Sequence, residues 1–359
     1  MKKIYYIAVV FAILFLAGCG DGIDLPGVNV ETDLNKIPLP DNNVNLEQVE
    51  LKPSTEPMLH EGLHTEEDFQ RIRDKKAAGE EPWVSAYQLL VESQFSQKTA
   101  DTYPTEWIKR GVSGDENYMN AARGATIAYQ QALRWKIEQD DEYAAKAVEN
   151  LNKWVQTCVG VTGNTNLSLA AGLYGYEFAI AGELLRDYEG WDRADFAAFQ
   201  NWLLKVFYPA NDDFLKRHHD TNALHYWANW CLCNIAAKMA IGIVTDRRDI
   251  YNEGIAHLQT GDTNGRLRRA IYHDYAPDYN FAQWQESGRD QGHTLMCVGL
   301  MGIICQLAWS QGDDFFAYDD NLFLRACEYA ACCNYTNETV PYTTYIWQKQ
   351  SQWGYPIPE

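Results

Sequence analysis

Gln285-Glu286-Ser287-Gly288-Arg289-Asp290-Gln291-Gly292-His293 runs directly into the apolar segment 294–309. The apolar part is too long for a strand and reads as a helix buried on every side. Such a helix must be covered by other elements of the fold. Its entrance is different in kind. Two carboxylates, a guanidinium and an imidazole crowd into eight residues. Burying unpaired charge is costly, so packing alone gives no reason for them. Holding and deprotonating an anionic ligand does.

Working outward, helical signals begin at Thr65-Glu66-Glu67-Asp68, a capping-box pattern with Asp in place of Glu. Apolar periodicity predicts further helices at about 81–95, 115–138, 141–158, 166–187, 193–206, 221–244, 248–258, 290–310 and 321–334. Small residues crowd two of them, Ala121, Ala122, Ala125 and Ala128 in one and Ala170, Ala171, Ala179 and Ala181 in another. Small side chains let helix axes approach closely. No segment shows the alternating, β-branched pattern of a strand. Short connections make consecutive helices antiparallel neighbours, and no clean repeat suggests a tetratricopeptide array. The expectation is an all-α (α/α) toroid, an incomplete barrel of antiparallel helix pairs.

The chain opens Met1-Lys2-Lys3, continues with an apolar run over 4–17, and reaches Leu16-Ala17-Gly18-Cys19. A basic start, a short apolar segment and small residues describe an export signal. The cysteine after Leu-Ala-Gly resembles a bacterial lipobox, which makes Cys19 the expected lipidation site. The reading is a lipoprotein signal at 1–18, a polar, proline-punctuated tether at 19–57, and one toroid domain at 58–359. Membrane attachment is expected through that N-terminal lipid, in the periplasm or at the outer-membrane surface.

The 46% hydrophobic content supports a real core, and 22% charged residues argue against disorder. A net charge of −19 speaks against nucleic acid as a partner. A polyanionic ligand then needs a locally basic cleft, for which Lys216-Arg217-His218-His219 and Arg266, Arg268 and Arg269 are candidates. Of nine cysteines, the eight beyond Cys19 fall mostly in apolar helical runs. There cysteine behaves as a small buried hydrophobe, so at most one or two disulfides and no cysteine-held metal are expected.

Three constellations carry candidate chemistry. In the first, a helix starting near Ser287 would put Arg289 and His293 on one face, and Glu286 and Asp290 likewise; the alternative is that Glu286 or Asp290 caps the helix and pairs with Arg289. In the second, Arg217-His218-His219-Asp220-Thr221-Asn222-Ala223-Leu224-His225-Tyr226-Trp227, Asn222 and His225 lie three apart at the start of a predicted helix whose amides favour a carboxylate; the alternative is N-capping with His225 merely packed. The third is the tyrosine-rich loop from Tyr272 to Asn280, where Tyr275 and Tyr279 are candidates for ligand contact and proton transfer. With 13% aromatics, including 12 Trp and 22 Tyr, the chain also has many rings for sugar faces.

At this point a resemblance emerges. His64-Thr65-Glu66-Glu67-Asp68, Gly182-Glu183-Leu184-Leu185-Arg186, Tyr226-Trp227-Ala228-Asn229-Trp230, the Gln285–His293 block, Ala308-Trp309-Ser310-Gln311-Gly312-Asp313-Asp314 and Glu328-Tyr329 resemble the alginate-lyase-domain family of polysaccharide lyases. The resemblance spans roughly 60–347, and the Glu-Ser-Gly-Arg-Asp-Gln-Gly-His block is its most specific part. It implies an (α/α) toroid that cleaves uronic-acid polysaccharides, alginate foremost, by β-elimination, with an Asn/His pair and an Arg around the uronate and a Tyr or His moving the proton. Arg289 and His293 match directly. Related lyases often have Asn-His adjacent ahead of Tyr-Trp; here the order is Asn222-Ala223-Leu224-His225-Tyr226-Trp227, and Leu224 stands at the histidine's expected place. The catalytic set expected is Arg289, His293, His225, Asn222 and Tyr279, with Glu286, Asp290, Gln285, Tyr226, Trp227, His219 and Tyr275 contacting substrate. No metal or organic cofactor is required.

The rival readings are an α/α-barrel glycoside hydrolase and a non-enzymatic, glycan-binding surface lipoprotein. The hydrolase needs two carboxylates about 5–9.5 Å apart across the scissile bond, and Glu286 with Asp290 is the pair available. The binder explains the aromatics and the tether but not the clustered His, Arg and Tyr.

Overall fold

The computed structural model describes residues 54–335 and 340–343. The export signal, Cys19 and most of the 19–57 tether lie outside the described residues. The helices are α1 (Glu66–Ala77), α2 (Trp83–Glu92), α3 (Tyr118–Glu138), α4 (Asp141–Thr157), α5 (Leu167–Leu184), α6 (Arg193–Val206), α7 (Tyr208–Arg217), α8 (Ala228–Val244), α9 (Arg248–Thr260), α10 (Gln291–Ser310) and α11 (Tyr318–Tyr335). The Thr65–Asp68 capping box is present at the start of α1.

Two kinds of helix alternate, and their composition decides where each goes. α5 and α8 are buried around nearly their whole circumference, so they can only be inner helices. α4 instead buries one stripe, Tyr143, Ala144, Ala147, Val148, Leu151 and Trp154. Its far side pairs Lys146 and Lys153 with Glu149 in solvent. Accordingly α3 packs on α5, α5 on α8 and α8 on α10, while α4 backs α3 and both α7 and α9 back α8. The result is the expected all-α toroid. Close approach depends on small residues at the contacts. A Cβ on Gly172 of α5 would sit 2.5 Å from Cys233 Sγ of α8.

The structure departs from the sequence reading in three places. Two small sheets exist: β1 (Trp107–Arg110) pairs in parallel with β2 (Gly160–Gly163), and β3 (Ile271–Asp274) pairs antiparallel with β4 (Ala282–Trp284). Strands of three or four residues are too short to display an alternating pattern. Helix α7 was not foreseen. The helix expected from 221 starts only at Ala228, because His218, His219 and Asp220 adopt left-handed backbone and Asn222 Oδ1 accepts from Leu224 N at 2.8 Å in a local turn. None of the eight cysteines among the described residues is in a disulfide.

The segments joining an outer helix to the next inner one (93–117, 158–166, 218–227 and 261–290) all emerge at the N-terminal end of the inner helices. They therefore gather at one end of the toroid. The chain at 54–61 crosses the opposite end. Arg248 holds the carbonyls of Glu56 and Pro57 at 2.8 Å, Asn252 holds that of Ser54 at 2.9 Å, and Gln311 bonds to Leu59 and Glu61. Residues 54–57, expected to be tether, are thus fastened to the domain.

Candidate active site

The loop-bearing end of the toroid holds the charged block. Asp290, in extended conformation, caps α10: its Oδ1 accepts from His293 N at 2.8 Å. The same carboxylate receives the His293 ring, with Nδ1 2.7 Å from Oδ2. Burial alone would raise the Asp290 carboxyl, but the hydrogen bonds from His293 and the nearby Arg289 charge hold it below the usual carboxylate range. An ionised Asp290 keeps the proton on Nδ1. That leaves Nε2, the ring's other nitrogen, without a partner among the described residues.

The preceding turn, Gln285 to Gly288, is entirely buried. Here the expectation of substrate contact is corrected for Gln285 and Glu286, both 0% exposed. Their side chains turn inward because α8 has no side-chain cap of its own at Trp227, and its first amides must be satisfied. Gln285 Oε1 accepts from Ala228 N at 2.9 Å and Glu286 Oε1 from Asn229 N at 3.2 Å. Glu286 Oε2 also anchors Arg289 Nη1 at 3.2 Å.

Arg289 and His293 do not share a helix face as predicted, since α10 begins after both Arg289 and its neighbour Asp290. Asp290 unites them instead, lying 3.8 Å from Arg289 Nε and 2.7 Å from His293 Nδ1. The Arg289 guanidinium sits 5.0 Å over the Trp227 ring. Trp227, expected as a sugar platform, carries the arginine's face. With Glu286 and Trp227 fixing it, the Arg289 side chain is still 20% exposed. Its Nη2 has no hydrogen-bond partner among the described residues.

The second constellation is a loop rather than the first turn of a helix, so the predicted helix amides do not stand behind Asn222 and His225. His225 is exposed and meets the Tyr226 ring edge-on at 4.9 Å. Tyr226 is buried against Trp230 (4.7 Å) and Phe214 (5.1 Å), which corrects its assignment to substrate contact. His219 Nε2 lies 2.9 Å from Ser168 Oγ at the start of α5, and burial lowers its pKa from the usual histidine value. Asn264 Nδ2 holds the loop from beneath through the carbonyls of Leu224 (3.1 Å) and Tyr226 (2.8 Å).

The tyrosine loop connects β3 to β4, whose end leads directly into the Gln285–Gly288 turn. Tyr275 donates to Gln283 Oε1 at 2.6 Å and stacks on Tyr329 of α11 at 6.2 Å, and burial pushes its hydroxyl up to about 12. It is locked into the β3–β4 hairpin, a correction to its expected ligand role. Tyr279 is 51% exposed and stacks on Phe281 at 6.5 Å. No hydrogen bond, ion pair or ring contact joins it to Arg289 or His293 among the described residues.

Three groups escaped the sequence reading. Ser168 follows the polar run Asn164-Thr165-Asn166, which signalled only a helix start. His64 Nε2 lies 2.6 Å from Tyr129 Oη of α3, and burial lowers this histidine to about 4. Glu177 of α5 has a buried Oε2 without a hydrogen-bond partner, and burial pushes its carboxyl up to about 8. Tyr129 and Glu177 fall in apolar helical runs where nothing sets them apart from packing residues.

The family model for alginate lyase matches residues 72–338. This chain belongs to the alginate lyase family. Its fold is similar to alginate lyase A1-III from Sphingomonas species A1, at TM-score 0.53 and 12% identity, covering 77% of this chain and 79% of that one. It is also similar to two variants of alginate lyase A1-III complexed with tetrasaccharide. The tyrosine-to-phenylalanine variant gives TM-score 0.56, 13% identity and coverage of 77% and 79%. The histidine-to-alanine variant gives 0.53, 13%, and 77% and 78%. At such identities the likeness is one of fold. No curated protein sequence matches significantly.

Proposed function

We propose that this alginate-lyase-family chain is a polysaccharide lyase that cleaves a uronic-acid polymer, alginate foremost, by β-elimination. The observation that carries the reading is the shared Asp290, whose carboxylate lies 3.8 Å from Arg289 Nε and 2.7 Å from His293 Nδ1, while Arg289 Nη2 and His293 Nε2 have no partner among the described residues. The C5 proton of a uronate is very weakly acidic, because its removal puts a second negative charge on the carboxylate group. A fixed cation at that carboxylate offsets the charge as it develops. Arg289 supplies it, preorganised by Glu286 and Trp227. Asn222 and His225 stand at the mouth of the same end as further donors. His293 takes the C5 proton on Nε2, and Asp290 stabilises the imidazolium that forms. Electrons from the C5–H bond then form the C4–C5 double bond as the C4–O4 bond breaks, and His293 returns the proton it took to the departing O4.

The hydrolase alternative loses its acid. Glu286 is wholly buried, caps α8 and is paired with Arg289, so it does not face Asp290 across a sugar. For location, the proposal is export and lipid anchoring through Cys19, with residues 54–57 passing the strain of the tether to α9. The test is ultraviolet absorbance of the new C4–C5 double bond on uronate polymers. A lyase raises it. Reducing ends without absorbance mean hydrolysis, and binding with neither means a glycan-binding protein; both overturn the reading.

A further inference from the structure

The net charge of −19 makes any local cation near the candidate site informative. Most of the basic patch seen in the sequence neutralises itself. Lys216 pairs with Asp212 at 2.8 Å, and Arg217 with Asp213 at 2.6 Å and Asp220 at 2.9 Å. Arg268 pairs with Asp274 at 3.8 Å and with Asp319. Arg269 donates to the Asp262 carbonyl. Arg266 differs. Among the described residues it has no carboxylate partner, and its Nε is buried with no acceptor.

Its position is set on both sides. Gly265 lets the chain press against α8, where a Cβ would lie 2.3 Å from Cys231 Cβ. Two residues earlier, Asn264 holds the carbonyls of Leu224 and Tyr226. Directly after Arg266, the helical turn Leu267–Ala270 packs on the Gln285–Gly288 turn that leads into Arg289. Arg266 therefore stands between the Asn222–Tyr226 loop and the Arg289 block, at the end of the toroid where both open. A guanidinium held by its backbone at such a junction, half-buried and lacking an acid, is poised for a carboxylate from outside the chain.

We propose that Arg266 is a second carboxylate-binding residue, gripping the acidic group of a sugar adjacent to the one at Arg289 and so selecting polymers with uronates on consecutive units. This rests on the lyase reading above. Arg266 touches the neighbouring sugar and not the reacting carbon, so its contribution is to binding. Its removal should weaken ground state and transition state alike.

The test compares Arg266→Ala and Arg266→Gln with wild type on a homopolymeric uronate and on a polymer in which uronates alternate with neutral sugars. On the homopolymer, KM should rise about tenfold or more with kcat within twofold, the size of a lost charge-assisted bond. On the alternating polymer both constants should stay within twofold. Equal effects on both polymers, or a loss confined to kcat, overturn the proposal. If wild type yields no unsaturated product, the lyase reading fails on its own. Calorimetric binding of an oligouronate to wild type and Arg266→Gln then decides the role of Arg266, with unchanged affinity counting against it.

Discussion

Replacing Arg289 with alanine should cost the fold as well as the activity, and the structure says how much. Glu286 is 0% exposed and keeps only the Asn229 amide and a long bond from the Cys297 thiol once its ion pair is gone. Removing one member of a buried pair typically costs about 3–5 kcal/mol. The surviving amide bond, and the 20% exposure of the arginine, place this case near the lower end, about 3 kcal/mol. Loss of the contact over Trp227 adds about 0.5–1 kcal/mol. Pairing Arg289→Ala with Glu286→Gln should recover most of the loss, since glutamine still accepts from Asn229 N but leaves no stranded charge. A double-mutant cycle by urea unfolding, read by far-ultraviolet circular dichroism, should return a coupling of about 2–3 kcal/mol. A coupling below about 0.5 kcal/mol would refute the view that Glu286 is an inward-facing anchor for Arg289.

Three further expectations follow from the same geometry. Asp290→Asn keeps the N-cap of α10, so the melting temperature should move little, but kcat should fall on the order of 100-fold or more because the imidazolium loses its counter-charge; near-normal kcat would contradict the assigned role. His293→Ala should remove one limb of the pH–rate profile, and an unchanged profile would demote it to packing. Glu177→Gln should stabilise the protein in a pH-dependent way. Below pH 4.5 the carboxyl is protonated whether folded or not; between 4.5 and about 8 only the unfolded chain ionises, so wild type loses stability as pH rises, about 1.4 kcal/mol per pH unit. Urea midpoints for the two proteins should diverge between pH 4.5 and pH 8, and a constant gap would exclude a neutral Glu177.

The all-helical fold could be read from the sequence because its decisive segments are apolar on every face. Runs such as 294–309 and most of α8 have nowhere to go except the inside of a helical layer. The first constellation was also legible as a cluster, since charge at the mouth of an apolar helix has no packing rationale. Which way each side chain turns was not. Glu286 and Asp290 look equivalent at four-residue spacing. Yet one caps a distant helix and the other caps its own, because that depends on where α8 leaves its first amides. The start of α8 was misplaced for a related reason: Asn222 closes a local turn that competes with helix, a choice settled by Asn264 some forty positions on in the chain. Glu177, Tyr129 and His64 are brought together only by the closing of the toroid.

The main part Arg289 plays in the reaction is to offset charge at the substrate's carboxylate. That role is tested most directly by measuring kcat/KM of wild type and of the stability-balanced Arg289→Ala/Glu286→Gln variant on a polyuronate and on its methyl ester, whose C5 proton needs no cation to be acidic. The account predicts a loss of roughly 100- to 1,000-fold on the acid and a much smaller one on the ester. Equal losses on the two substrates would contradict it.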